Sequence, residues 1–457
     1  AERPKSTVRS PQFYFQSCVS WSKISTGSPA FRRYPKGFVL GSAAKAAYVA
    51  SENEAAFLMS ICNSSLAQLL LEAKSPTMSF VAEDVGSLPM LTGIDSDELL
   101  AAVEELQATS AKDWNESENS WRFTSNPLVA APGARSLGIL YEEYRGHWRA
   151  LALRQQKLEE SNNTSIAELY GLSHEISAAV PLDRVTLGQN PAFRYSGKSK
   201  NQHEELFRQD TIKDLLSFSV GCMFGRYSLD TPGLLLADHG ATLAQYFAQE
   251  PAPRYTPAVD NVLPIVDGDW FEGDIVARFR QFLRVAFGDE HFEENLRFIE
   301  ESLGVKSLRE YFITRSGGSR FYDDHVKRYK KRPIYWLFSS PKGSFNALIY
   351  MHRYTPSTVS TVLNEYLREF ESKLEANLQH QERVAAGDGT SREKAAALKE
   401  AERLRKILVE LSEYEHDVLY PLASKQVAID LDDGVKANYP KFYPALRKIK
   451  GLEAADD

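Results

Sequence analysis

Two short stretches near the N-terminus, residues 13–21 (FYFQSCVSW) and 37–40 (GFVL), are rich in aromatic and β-branched residues and bounded by turn formers. That composition predicts strands. Between them, residues 22–36 are small hydroxyl residues, turn formers and cations, which predict a loop. From residue 53 the period changes: Ala56, Met59, Ile61, Cys62, Leu66, Leu69 and Leu70 recur at helical spacing and predict a helix over 53–73. Two charge-rich helical patterns follow much later, over 358–385 (Val362, Tyr366, Phe370, Leu374) and 391–418 (Leu398, Leu404, Ile407, Leu408, Leu411). The turn between them, with Ser391 as N-cap, predicts an antiparallel helical hairpin. No apolar run reaches the ~20 residues that cross a bilayer, so no membrane partner is expected.

Composition narrows the class. A 457-residue chain with 43% hydrophobic and 25% charged residues suits two or three globular domains with large cores. Its three cysteines, Cys18, Cys62 and Cys222, are too widely spaced for a disulfide framework or a zinc site and fit a reducing cytoplasm. The N-terminus has neither a signal peptide nor an initiator methionine, which fits a piece cut from something longer.

The charge distribution is uneven. The net charge of −7 argues against nucleic-acid binding, yet residues 1–50 carry Arg3, Lys5, Arg9, Lys23, Arg32, Arg33, Lys36 and Lys45 against Glu2 alone. A positive field concentrated on one subdomain attracts phosphate, and an acidic remainder discourages indiscriminate coating of DNA. Within the loop, Lys23, Arg32, Arg33, Lys36 and the nearby Lys45 suit guanine edges or phosphates, while Ser25, Thr26 and Ser28 suit either. Phe31 and Tyr34 are its expected anchors. A second basic run, Lys327, Arg328, Lys330, Lys331 and Arg332, precedes an aromatic strand over 334–338. It reads equally as a solvated face and as a contact for a nucleic-acid backbone.

Other motifs carry less. NPAFRYSGKS (190–199) resembles a methylase Asn-Pro-Pro-Tyr loop and a P-loop at once, but Ala192 stands where the P-loop needs glycine, and no strand leads into it. The nearest Gly-rich turn, 37–42, lacks the acidic residue that holds a ribose. Asp267, Asp269 and Asp274 predict a capped turn, since no Glu-x-Lys companion lies nearby. Asp430 to Gly434 has the wrong spacing for a calcium loop. Gly221 and Gly225 predict close backbone packing, and His147, His174, His239 and His416 lack metal-ligand spacing. No catalytic, cofactor-binding or metal-binding residue is assigned to this chain.

A family resemblance rests on longer stretches. FLMSICNSSLAQLLLEAKSPTMSFVAEDVGSLPML (57–91) resembles the closing half of a restriction-modification target-recognition domain. AKDWNESENSWRF (111–123), IAELYGL (166–172), SVGCMFGRYSLD (219–230), KRPIYWLFSSPKGSFNALIYMHRY (331–354) and IDLDDGVKANYPKFYP (429–444) are similar to the C-terminal half of PglX-type adenine-specific DNA methyltransferases of BREX phage-exclusion systems. The resemblance implies a mixed α/β (α+β) fold: a target-recognition domain with a small sheet and packed helices over 1–95, a helical connector over 96–180, a mixed α/β domain over 181–345, and a helical hairpin with C-terminal segment over 346–457. It also implies a bacterial, nucleoid-associated chain whose partners are double-stranded DNA, an N-terminal methylase domain of the same parent and other BREX proteins. S-adenosylmethionine and catalysis belong to that parent. The rival expectation is a scaffold whose hairpin docks other defence components.

Overall fold

The computed structural model describes residues 10–74, 78–91, 97–129 and 135–453. The chain divides into two units, one drawn from 1–114 and 145–203, the other from 115–144 and 204–457. The fold is mixed α+β, with two small antiparallel sheets among many helices.

The first unit is built on a three-stranded sheet ordered β2-β1-β3, where β1 is Cys18–Ser22, β2 is Arg32–Tyr34 and β3 is Ala44–Ala47. Only the second half of the expected 13–21 strand pairs, because Pro11–Phe13 turn as a 3-10 helix. Residues 37–40 form no strand, since Gly37 holds φ at +106°, far from extended backbone. β2 instead lies inside the expected loop. β1 sits between both neighbours, with Val19 opposite Arg33 on one side and Ala47 on the other. The ladder that β1 offers overrides the turn-forming composition around β2.

The expected 53–73 helix is two helices, Glu52–Cys62 and Ser65–Lys74, bent by 66°. Asn63 and Ser64 break it by bonding backbone. Asn63 donates to the carbonyls of Phe31 (3.1 Å) and Met59 (3.0 Å), and Ser64 Oγ donates to Ile61 (2.6 Å). Val19, Trp21, Phe31, Ile61, Leu66, Leu71 and Phe80 close the core below this corner. Among the described residues no single helix is long and apolar enough to cross a membrane. Arg3, Lys5 and Arg9, like Pro76 and Thr77 of the quoted recognition motif, lie outside the described residues.

The second unit surrounds another three-stranded sheet, β4 (Val262–Pro264), β6 (Asn346–Tyr350) and β5 (Tyr335–Ser339), in the order β4-β6-β5. β5 matches the expected aromatic strand, and Tyr335, Trp336 and Phe338 are all fully buried. The hairpin forms as expected from Arg368–Ala386 and Ser391–Tyr414. Its cap moves by one residue. Thr390, not Ser391, is the N-cap: its backbone N–H donates to Glu393 (2.8 Å) while its Oγ1 accepts from the Glu393 N–H (3.3 Å). Each hairpin arm also passes through a π-helical turn, at Val362–Leu367 and Glu415–Leu419.

Candidate nucleic-acid interface

In the first unit, backbone bonds fix the turn that follows β1. Lys23 N–H donates to Ala43 (2.8 Å), Phe80 N–H donates to Lys23 (2.7 Å), and Ser25 N–H donates to Met78 (3.0 Å). Ser25 Oγ then accepts from the Gly27 N–H at 3.3 Å. Thr26 and Lys36 are exposed, while Lys23, Ser25, Ser28 and Lys45 are half-buried. Lys45 lies on β3 opposite Trp21. Lys23, Lys36 and Lys45 have no ion-pair partner among the described residues, and no described acidic side chain occurs before Glu52.

Arg32 and Arg33 are placed otherwise than a mid-loop position implies. As consecutive residues of β2 they point to opposite faces of the sheet. Arg32 donates to Thr186 Oγ1 (2.9 Å) and to the Phe31 carbonyl (3.0 Å), while Arg33 pairs with Glu52 at 2.5 Å. In this conformation both guanidinium groups hold the sheet to its neighbours. Phe31 is an anchor, buried at 5.2 Å from the Trp21 ring and held by Asn63, which accepts from its N–H at 3.0 Å.

Sequence reasoning missed an aromatic surface here. Phe13, Phe15, Phe38 and Tyr48 are exposed, with Phe13 stacked on Tyr48 at 4.5 Å. The strand assignment hid them, because alternation would have buried every second ring. Pro11 and Gly37 were the available signals.

In the second unit, the basic run occupies the last turn of the helix Arg320–Arg328 and the tight turn after it. Its five cations do not act alike. Lys327, Lys330, Lys331 and Arg332 are exposed, with no ion-pair partner among the described residues. Arg328 turns inward to Asp214 (2.6 Å) and Glu118 (3.9 Å). Burial works against its charge, but those two carboxylates more than offset this and leave its pKa raised. Glu118 also accepts from Ser217 Oγ (2.5 Å) and from Tyr329 OH (2.9 Å). The aromatic residues expected beside this run are core residues of β5 and offer no surface.

The remaining motifs are structural. Asn190 of the NPAF stretch is buried; its amide donates to Leu182 (2.8 Å) and Val185 (2.9 Å), and its Oδ1 accepts from Ala192 (3.2 Å). Those bonds exhaust it as the start of the helix Pro191–Arg194. Ser199 caps in the same way, its Oγ accepting from Gln202 at 3.4 Å. Asp274 accepts from Ala277 N–H (2.7 Å) and pairs with Arg309 (2.7 Å), which also holds Asp269. Asp430 accepts from Asp432 N–H at 3.0 Å in an ordinary Asx turn. Gly221 makes room for the Tyr227 ring, 2.3 Å from where a Cβ would stand, rather than for a second backbone. The three thiols are buried, and burial pushes Cys62 up to about 12. Among the described residues no three His, Cys, Asp or Glu side chains gather as metal ligands do.

Every strand pair described here is antiparallel, unlike the mostly parallel sheets whose glycine-rich strand-to-helix turns cradle dinucleotides.

No protein-family model matches the chain. It is similar to Adenine-specific methyltransferase BrxX of Escherichia coli O9:H4 (strain HS), 34% identical over 469 residues, covering 98% of this chain and 37% of that protein. It is also similar to Adenine-specific methyltransferase PglX of Lacticaseibacillus casei (strain Zhang), 32% identical over 439 residues, covering 94% of this chain and 34% of that one. The chain thus spans a little over a third of the length of these curated relatives.

Proposed function

This chain is homologous, along nearly its whole length, to part of the BrxX and PglX adenine-specific methyltransferases, and from that premise we propose that it is the DNA-binding, sequence-specificity portion of a site-specific adenine-N6 DNA methyltransferase in bacterial phage defence. One observation carries the reading. The turn and sheet edge holding Lys23, Ser25, Thr26, Ser28, Lys36 and Lys45 are accessible, rigidly tied and free of acidic side chains over the described residues before Glu52. Lysines there neutralise phosphates and fix register, while the short hydroxyl side chains have the reach and donors for base edges. Lys327, Lys330, Lys331 and Arg332 of the second unit add phosphate contacts. Arg32 and Arg33 position β2, and either reads a base only by giving up its internal partner.

Methyl transfer and S-adenosylmethionine are assigned to the rest of the parent protein. Fluorescence anisotropy of this chain on duplex DNA over a salt series tests the reading. Replacing Lys23 or Lys36 with glutamine is expected to weaken all sequences alike and to reduce the salt slope by about one unit per lost contact. In the full-length enzyme, Arg33→Ala relaxes one position of the methylated motif, seen by mapping methylated adenines, only if Arg33 reads a base. Absence of salt-dependent binding by the chain defeats the proposal and leaves the hairpin-docking scaffold.

A further inference from the structure

The turn that follows the helix Arg320–Arg328 stores strain where it carries charge. Lys330 and Lys331 stand at φ +50° and +63°, two consecutive left-handed residues that are not glycine. L-residues rarely adopt that conformation, so the surroundings must impose it. They do so through the backbone: Lys330 N–H donates to Lys327 (3.0 Å), Lys331 N–H to Val326 (2.8 Å) and Arg332 N–H to Tyr329 (2.9 Å). Below the turn, Arg328 is locked onto Asp214 and Glu118. Arg328 thus faces inward, while the other four cations are exposed and have no ion-pair partner among the described residues. Glycine would make the same turn without that strain, so the two lysines here place charge at a conformational cost.

An exposed aromatic residue lies a short length of chain from a contact with this turn. Asn119 Nδ2 donates to the Arg328 carbonyl at 3.2 Å, which fixes the segment preceding Trp121 against the basic turn. Trp121 is two residues on, at most about 7 Å of chain away, and it is 93% exposed. An indole with so much of its surface accessible is uncommon, since tryptophan is highly buried on average.

We infer that Trp121, Lys327, Lys330, Lys331 and Arg332 form a binding site for single-stranded DNA, in which the indole stacks on an unpaired base and the rigid cationic turn takes the flanking phosphates. The chemistry selects that ligand. A duplex keeps its base faces stacked inside and offers nothing to an indole, whereas an unpaired strand offers both faces and phosphates. The inference rests on the DNA-binding reading above but concerns the second unit and a different form of DNA.

The test measures anisotropy of the chain with a fluorescent oligothymidine dodecamer and with a duplex of equal length. Trp121→Ala is expected to weaken the single strand about tenfold or more and the duplex less than twofold, while Trp121→Phe retains most of the affinity. The double variant Lys330→Gln, Lys331→Gln lowers single-strand affinity and its salt slope. Lys331→Gly, which relieves strain, is expected to raise the melting temperature while lowering that affinity. Equal affinity of Trp121→Ala and the parent chain for the single strand overturns the inference, as does an equal loss on duplex, or a patch that captures a protein partner and no oligonucleotide. Loss of sequence preference on duplex with intact single-strand binding would instead defeat only the first-unit reading.

Discussion

At Gly343 the chain has no room for a side chain. A Cβ there would lie 2.3 Å from the Gly317 carbonyl oxygen, one on Gly317 would lie 2.0 Å from the Lys342 oxygen, and both residues have positive φ. Gly343→Ala is therefore expected to destabilise by about 2 kcal/mol or more, from overpacking plus backbone strain, read as a lowered midpoint in denaturant. Glu118 makes the same point through charge. It accepts from Tyr329 and Ser217 and faces Arg328, so Glu118→Gln leaves Arg328 with Asp214 alone and is expected to cost about 3 kcal/mol; a melt within a degree of the parent would show the network to be incidental. Neither role was legible in the sequence, where Gly317 and Gly343, or Glu118 and Arg328, lie far apart. The basic run looked uniform for the same reason: only the fold separates Arg328 from its four exposed neighbours.

Among the elements, the hairpin was legible because its helices keep one apolar stripe over many turns, and long periodic signals survive local noise. Of the strands, β5 was legible and β2 and β3 were not. Three to five residues give a period of two little statistical weight, and β2 exists because β1 offers it a ladder. At the base of the hairpin Glu371 is pushed up to about 8, first by burial, then by its hydrogen bond and repulsion with Glu415, with Glu375 adding and Arg368 opposing. The folded state thus keeps a proton that an unfolded glutamate releases near pH 4.3. Between that pH and about 8 the native state binds more protons, so this pair's contribution falls as pH rises. Glu371→Gln is expected to flatten that dependence and to raise the melting temperature at pH 8, measured by thermal melts from pH 5 to 8.5. A melting temperature that rises from pH 5 to 8 in the parent chain would show the carboxyls to be charged independently.

The whole molecule combines a net charge of −7 with an N-terminal region that has no acid between Arg3 and Ser51. Association with DNA is then expected only through the cationic faces, and to fall steeply with salt. Isothermal titration of this chain with S-adenosylmethionine is expected to give no heat of specific binding, because both of its sheets are antiparallel and the NPAF asparagine is consumed by a helix cap. A micromolar site would contradict that assignment of the cofactor to the rest of the parent.

Residue order by itself determined the class of fold, the hairpin, the concentration of positive charge and, through stretches long enough to be specific, the kinship with adenine-specific methyltransferases. These are properties of composition and of patterns that repeat along the chain, which add up locally. Only the tertiary structure decided which cations reach solvent, that Arg32 and Arg33 brace a sheet, and that Phe15 and Trp121 are exposed. Each depends on a partner distant in sequence or on a backbone angle set by long-range hydrogen bonds: Arg32 on Thr186, Arg328 on Asp214, the lysine turn on a segment ending at Trp121. Such pairings are chosen by burial and by the need to satisfy every backbone group at once, and no local pattern encodes them.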